Sequence, residues 1–175
     1  QNTATTTDGY ITLATSTQTT VNDWSRSLAK IPGNMYCKSC QIIRNGSDDL
    51  IYVLLGTGTS FYTYSISGNT WSALTVAPAT VDGTLMMIRN GSDDLIYVAR
   101  GNSSTAFWTY SVGGNTWAVK TVAPGSLPRG TSMLRNGADD LIYVTQGGST
   151  GMYSYSVGTN TWAVLTVLPA IIDDG

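Results

Sequence analysis

The sequence contains no glutamate and no histidine, and it carries few charges of any kind. All eleven acidic residues are aspartates, and charged residues make up 11% of the 175-residue chain, less than half of the roughly 25% typical of soluble proteins. The net charge of −2 predicts no basic surface, so nucleic acid is not an expected partner. The side chains that most often act as general bases near neutral pH are missing. The sequence therefore predicts a protein that is not an enzyme.

Long apolar runs and cysteine frameworks are also missing. No run reaches the roughly 18 apolar residues that a spanning helix needs, so no membrane insertion is predicted. The two cysteines, Cys37 and Cys40, form a Cys-Lys-Ser-Cys segment. Such a pair indicates redox chemistry at the start of a helix in a βαβ unit, or zinc when a second pair is present. Neither context occurs, so we expect the two cysteines to pack together or to form a local bridge.

What the sequence does contain is an internal repeat. The segment Arg-Asn-Gly-Ser-Asp-Asp-Leu-Ile-Tyr-Val begins at Arg44, returns at Arg89 and returns with one alanine at Arg135. Asn-Thr-Trp follows in each unit and ends at Trp71, Trp117 and Trp162, with a weaker Asn-Asp-Trp ending at Trp24. A period of this size is typical of repeat architectures, in which each unit buries its apolar face against its neighbours.

Each unit has the pattern of four short antiparallel strands, here called a, b, c and d. In the first full unit these are residues 36–44, 50–55, about 61–66 and 71–76, with Asn45-Gly46 as a tight a–b turn. Strand c alternates aromatic and small polar residues, as half-buried strands do. In the opening unit, residues 10–19 are expected to form strand c and residues 24–31 strand d.

Four short strands in about 45 residues predict an all-β protein, a β-propeller of four-stranded blades. We expect three full blades at residues 35–78, 79–123 and 124–169. Residues 1–34 form a partial blade, and residues 170–175 lead to a further strand. A propeller closes its ring by pairing strands from both ends, because an open end leaves bare backbone groups. We therefore expect these residues to belong to a longer chain or an oligomer.

The repeat resembles the kelch family over about residues 35–169. The resemblance rests on Ile-Tyr-Val followed by Gly, on Tyr-Ser-x-x-x-Asn-Thr-Trp and on the Ala-Pro link. Gly147-Gly148 matches the family's glycine pair, Gly56 and Gly101 match its first glycine, and Arg129 fits its arginine before strand a. The resemblance implies a propeller. Kelch-type copper oxidases need His ligands and sialidase-type propellers need Glu, and this sequence has neither.

The family pattern also sorts the loops. It places the a–b and c–d turns on one face and the b–c and d–a loops on the other, and only the latter vary between units. Variable loops on a rigid scaffold are the usual place for binding. The candidate ligand-binding residues on this variable face, among solvated loop positions, are Asp82, Arg100, Asn102, Arg129 and Gln146. Trp71, Trp117 and Trp162 recur in register, which favours packing between blades over sugar stacking.

The aspartate pairs after each Asn-Gly are expected to cap turns. They are Asp48-Asp49, Asp93-Asp94 and Asp139-Asp140. Their carboxylates are also ligands that Ca²⁺ prefers, but the spaced calcium-loop pattern is missing. No cofactor is therefore predicted, with calcium at these turns as the alternative.

Composition and repeats together predict a non-enzymatic interaction or structural module. The surface is rich in Thr, Ser, Gly, Asn and Tyr, which favours an extracellular, cell-surface or virion location. The expected partner is a protein or further copies of the chain. The alternative is a carbohydrate-binding lectin that uses the same b–c and d–a face.

Overall fold

The computed structural model describes residues 4–7, 10–13, 28–32, 40–44, 49–82, 86–89, 93–135, 137 and 139–172. The structure is all-β, and this part of the chain contains no helix. Near the N-terminus, β1 (Ala4–Thr7) pairs antiparallel with β2 (Tyr10–Leu13). The second of these strands falls within the predicted strand c of the opening unit. Residues 28–31 form no strand, and residues 24–27 lie outside the described ranges.

Three four-stranded antiparallel sheets follow, one for each repeat unit. The first sheet contains β3 (Gln41–Arg44), β4 (Leu50–Leu54), β6 (Phe61–Ser65) and β7 (Thr70–Ala73). Beside it, β5 (Thr57–Gly58) pairs with β8 (Val81–Asp82). The second sheet contains β9 (Met86–Arg89), β10 (Leu95–Ala99), β11 (Phe107–Ser111) and β12 (Thr116–Val119). The third contains β13 (Ser132–Arg135), β14 (Leu141–Thr145), β15 (Met152–Ser156) and β16 (Thr161–Val164).

Strand d ends earlier than predicted. The prediction extended it to Val76, whereas β7 ends at Ala73. The N–H of Leu74 still donates to the carbonyl of Phe61 at 2.9 Å. The next residue bonds the neighbouring sheet, because the Thr75 N–H donates to the side chain of Asn115. In the third sheet β16 ends at Val164, the position equivalent to Ala73, so strand d ends at the same place in both units.

The sheets lie side by side in sequence order. The first strand of the second sheet, β9, contacts both β3 and β13. Two hydrophobic clusters fill the boundaries between the sheets. One packs Tyr52, Leu54 and Phe61 of the first sheet against Ile96 and Tyr110 of the second. The second sheet thus buries one face against the sheet before it and the other against the sheet after it, as expected for repeat units.

Candidate functional site

The Asn-Thr-Trp segment joins neighbouring sheets through hydrogen bonds. Asn115 adopts a left-handed backbone conformation at φ +48°, which asparagine tolerates better than most residues. Its Oδ1 accepts hydrogen bonds from the Tyr110 hydroxyl at 2.8 Å and from the Thr75 N–H at 2.9 Å. The Thr75 hydroxyl donates to the Asn115 carbonyl at 2.7 Å. The Trp117 indole N–H donates to the Thr75 carbonyl at 2.8 Å.

We call this arrangement the Asn–Trp clasp. In it, an asparagine and a tryptophan of one unit form hydrogen bonds with a single residue that follows strand d of the preceding unit. Between the second and third sheets, Asn160 and Trp162 hold Thr121 in the same way. At the first sheet, the Asn69 side chain accepts a hydrogen bond from the N–H of Ala29, and the Trp71 indole N–H donates to the carbonyl of Ala29. The sequence showed the Asn-Thr-Trp recurrence, but nothing in it revealed that the asparagine contacts the preceding unit.

An aromatic side chain completes each boundary. Phe61 of the first sheet lies 4.8 Å from Tyr110 and 5.2 Å from Trp117, measured between ring centroids. Phe107 lies 4.8 Å from Tyr155 and 5.1 Å from Trp162. The predicted packing of the repeated tryptophans between units is confirmed for Trp117 and Trp162.

In the second and third units, the first aspartate of the pair, Asp93 or Asp139, caps its own a–b turn. Asp93 Oδ1 accepts from the N–H of Leu95 two residues later, at 3.1 Å. Asp94 reaches instead to the c–d turn, where its Oδ2 accepts from the Gly113 N–H at 2.5 Å. Asp49 accepts from the Ser67 N–H at 2.7 Å in the same way. Hydrogen bonds from the side chain and backbone of Ser67 hold the pKa of Asp49 below its usual value.

Tyrosine hydroxyl groups also bond the first aspartate of a pair. The Tyr97 hydroxyl donates to Asp93 Oδ2 at 3.2 Å, and that of Tyr143 donates to Asp139 Oδ2 at 3.1 Å. Burial, with the nearby Asp93 carboxylate, raises the pKa of Tyr97. Burial also raises the pKa values of Tyr110 and Tyr155 to about 12. Within the described ranges, no group of three or more Cys, Asp or Glu side chains is arranged to hold a metal ion.

On the opposite side, the b–c loops pair with the d–a loops, as the loop assignment predicted. Thr57 pairs with Asp82 through β5 and β8. Ser104 forms an isolated antiparallel bridge with Leu127. In the third unit, the Gly148 N–H donates to the Ile172 carbonyl at 2.8 Å. We call this surface the variable rim: residues 55–60, 77–82, 100–106, 123–131, 146–151 and 168–172.

Two of the five predicted ligand residues hold the rim together. The Arg100 Nε donates to the Thr80 carbonyl at 2.9 Å, while its Nη groups have no hydrogen-bond partner within the described part of the chain. The Gln146 Nε2 donates to the Ser126 carbonyl at 2.8 Å, and its Oε1 accepts from the Tyr153 hydroxyl at 3.0 Å. Each side chain thus fixes the loop that leads into its own unit.

The other three predicted residues have different surroundings. Asn102 is exposed at φ +52°, where the third unit has Gly148 at φ +64°. Asn102 is therefore the second unit's equivalent of Gly148, the second glycine of the pair in the third unit. Arg129 is exposed, and its carbonyl lies where a Cβ at Gly147 would collide with it. Asp82 lies in β8, and its side chain falls outside the described part. Arg100 thus lies beside the loop that carries Asp82, and the backbone of Arg129 lies against Gly147, next to Gln146.

An apolar cavity of about 300 Å³ lies between residues 28–31 and the first sheet. Its lining includes Leu28, Ile51, Val53 and Trp71, together with Cys40. Cys40 is in a disulfide, whereas Cys37 lies outside the described residues. The lining side chains are mostly apolar, so the cavity offers mainly apolar contacts.

No protein-family model matches the chain, and no curated protein matches it significantly. Within the described ranges, no helix is long and apolar enough to cross a membrane.

Proposed function

We propose that the three sheets are blades of a kelch-like β-propeller, and that the protein is a non-enzymatic interaction module. It binds a protein partner through the variable rim in an extracellular, cell-surface or virion setting. The observation that carries the proposal is the difference between the two sides of the sheets. On the side of the a–b and c–d turns, the same hydrogen bonds recur from unit to unit. On the variable rim, the b–c and d–a loops pair through their backbones in each unit, but their side chains differ.

The constant side supports a structural role for its polar groups. Asp49, Asp94 and Asp140 all accept a hydrogen bond from the backbone of a c–d turn, at 2.7, 2.5 and 2.6 Å. Because these carboxylates are occupied by internal donors, they favour turn capping over ligand binding.

The rim supports a binding role because it combines rigid backbone with unshared polar groups. The backbone of Ser103 and Ser104 is hydrogen-bonded to Leu127, so this loop needs little ordering on binding. Asn102 and Arg129 are exposed on it. Equivalent positions differ in charge and size, with Leu55 and Gln146 in place of Arg100, so units of one scaffold present different contacts.

Binding assays with rim variants test the proposal. The wild-type chain, immobilised, is exposed to proteins extracted from its native source, alongside Asn102→Gly and Arg129→Ala. Glycine keeps the left-handed backbone at position 102 and removes only the side chain. Thr116→Ala, at an exposed position that begins β12, is the matched control. We expect the two rim variants to lose a partner that wild type and control retain. Equal recovery by all four proteins would contradict rim binding.

A glycan array with the same four proteins tests the lectin alternative. Glycan binding that disappears in Asn102→Gly and Arg129→Ala would replace the protein partner with a carbohydrate. Glycan binding that Thr116→Ala also loses would contradict both uses of the rim.

A further inference from the structure

The apolar cavity beside residues 28–31 is lined by positions of the first sheet that recur in the other two sheets. Four of its lining residues lie in strands b, c and d, and they are Ile51, Val53, Tyr64 and Trp71. Their equivalents in the second sheet are Ile96, Val98, Tyr110 and Trp117. These equivalents belong to the cluster at the boundary with the first sheet or pack against it. The cavity therefore lies where, at the next boundary, one sheet packs against another.

A phenylalanine ring fills the equivalent place at both boundaries between sheets. Phe61 packs in one cluster with the isoleucine and valine of the second sheet, and its ring contacts the rings of Tyr110 and Trp117. Phe107 contacts the equivalent tyrosine and tryptophan of the third sheet. The same set of side chains thus holds a phenyl ring twice within the chain.

The tyrosine and tryptophan at the cavity are arranged as they are at these boundaries. The ring centroids of Tyr64 and Trp71 lie 4.9 Å apart with an interplanar angle of 44°. Those of Tyr110 and Trp117 lie 5.1 Å apart with an angle of 54°. The pair in the first sheet is therefore already in the arrangement that receives a phenyl ring in the second.

The opposite wall of the cavity also matches a boundary between sheets. The Asn–Trp clasp holds Ala29 against the first sheet as it holds Thr75 against the second. Leu28, immediately before Ala29, lines the cavity. Leu74, immediately before Thr75, packs against the cluster that contains Phe61. Both walls thus correspond to residues that surround a phenyl ring elsewhere in the chain.

The polar atoms of the aromatic lining residues already have partners. The Tyr64 hydroxyl donates to Asn69 Oδ1 at 2.8 Å, and the Trp71 indole N–H donates to the Ala29 carbonyl at 2.8 Å. The other lining side chains that the structure describes are aliphatic, apart from Cys40, which is in a disulfide. A charged ligand would lose its hydration here without gaining hydrogen bonds, so the lining favours an uncharged one.

We propose that this cavity binds a small, uncharged aromatic molecule. Its ring takes the position that Phe61 and Phe107 occupy at the two boundaries, against Tyr64 and Trp71. The volume of about 300 Å³ is sufficient, because an apolar cavity of about 150 Å³ binds benzene. The ligand is held by apolar and aromatic contacts, which are the main contacts in most small-molecule sites.

The cavity is open to solvent on one side. Leu28 and Ile42 line it, and they are 66% and 67% exposed, so a ligand can enter beside them. No lining residue that the structure describes belongs to the variable rim. Binding in this cavity and binding at the rim can therefore succeed or fail separately.

Methyl NMR of the 175-residue chain, titrated with toluene, tests the proposal. The methyl groups of Ile51 and Val53 are the reporters, because the field of an aromatic ring shifts the resonances of methyl groups beside it. The methyl groups of Val164, which is 70% exposed and is not among the lining residues, are the control. We expect the Ile51 and Val53 resonances to shift and to saturate below the solubility limit of toluene, while those of Val164 stay in place.

Benzoate is the matched control ligand, because it carries the same ring with a carboxylate in place of the methyl group. We expect it to bind at least about a hundredfold more weakly than toluene, since the cavity offers its charge no partner. Absence of a saturable shift with toluene would overturn the proposal. So would benzoate binding as tight as that of toluene.

Two variants locate the bound ring. Val53→Phe places a ring in the cavity and should abolish the saturable shift of Ile51. Ile42→Asp places a carboxylate in the lining at an exposed position and should weaken toluene binding at least about tenfold. Val119→Asp is its matched control, because Val119 is 69% exposed and is not among the lining residues.

Circular dichroism melting confirms that each variant is folded. Because Ile42 is exposed, Ile42→Asp keeps the test decisive even if the larger side chain at position 53 prevents folding. We expect Val119→Asp to bind toluene as wild type does. Toluene binding that Ile42→Asp leaves unchanged, or that Val119→Asp weakens equally, would overturn the proposal.

Discussion

Thr75 donates two hydrogen bonds to Asn115, 40 residues away in sequence, across the boundary between the first and second sheets. The Thr75 N–H donates to Asn115 Oδ1 at 2.9 Å, and the Thr75 hydroxyl donates to the Asn115 carbonyl at 2.7 Å. The same oxygen, Oδ1, also accepts from Tyr110 at 2.8 Å. One asparagine therefore fixes a turn, a buried tyrosine and the neighbouring sheet together.

Replacing Asn115 with glycine should lower the free energy of unfolding by about 2 to 3 kcal/mol. Glycine accepts the backbone at φ +48° without strain, so the loss comes from two hydrogen bonds and one unpaired tyrosine hydroxyl. Urea unfolding measures it. Asn102→Gly is the matched control: Asn102 has a similar φ of +52° and no side-chain hydrogen bond within the described chain. We expect its stability to change by less than about 0.5 kcal/mol. Equal losses would mean that backbone conformation, and not the clasp, decides stability.

Shortening Phe107 should weaken the boundary between the second and third sheets. Phe107 is fully buried and contacts the rings of Tyr155 and Trp162. We expect Phe107→Ala to lower the free energy of unfolding by about 3 to 5 kcal/mol, the usual range for a core phenylalanine. Val119→Ala removes apolar atoms from a side chain that is 69% exposed and should cost under about 0.5 kcal/mol. A Phe107→Ala cost below about 1 kcal/mol in denaturant melts would show that the boundary is not a packed core.

Acid should destabilise the first c–d turn through Asp49. Hydrogen bonds from Ser67 lower the pKa of Asp49 in the folded chain below the ordinary aspartate value of 3.8. A lowered folded pKa contributes stability above the unfolded pKa, and this stability is lost as pH falls through the folded pKa. We expect the melting temperature of wild type to fall below about pH 4 more steeply than that of Asp49→Asn. If the melting temperatures of the two proteins change in parallel between pH 2 and 7, the Asp49 carboxylate does not stabilise the fold.

The sequence predicted the sheets well because their signals are local. Alternating residues in strand c, the Asn-Gly turns and the repeated Leu-Ile-Tyr-Val depend on neighbours in one unit. The partner of the residues after strand d did not follow from such signals. The Thr75 N–H donates to Asn115, a residue of the next unit, and no local pattern at residues 71–76 encodes that partner.

The candidate site was less predictable for the same reason. Variation between units pointed to Arg100 and Gln146 as rim residues. It did not show that each one bonds the carbonyl of the loop before its own unit, at Thr80 and Ser126. The polarity of Asn102 made it a candidate, whereas its backbone occupies a left-handed position that glycine fills in the third unit. Side-chain differences identify a surface, but their partners depend on packing between sheets.

Removing calcium should leave stability unchanged. The carboxylates of Asp93, Asp94 and Asp140 already accept hydrogen bonds from backbone N–H groups, which compete with a cation for the same oxygens. We expect equal melting temperatures with a chelator and with millimolar Ca²⁺, and magnesium provides the control for ionic strength. A rise of several degrees that only Ca²⁺ produces would establish a bound ion, because a ligand bound by the folded state alone must stabilise it.

Alkali should destabilise the protein through its buried tyrosines. The pKa of Tyr110 and of Tyr155 rises from the ordinary tyrosine value of 10.0 to about 12, chiefly because burial disfavours the phenolate. A raised folded pKa leaves stability complete below the unfolded pKa, here about pH 10, and removes it as pH rises through the folded pKa. We expect the melting temperature to begin falling near pH 10. In the native chain, phenolate absorbance in the near ultraviolet should lag behind the titration of all ten tyrosines in concentrated urea. If the native and denatured titration curves coincide while the chain stays folded, these tyrosines are not buried as described.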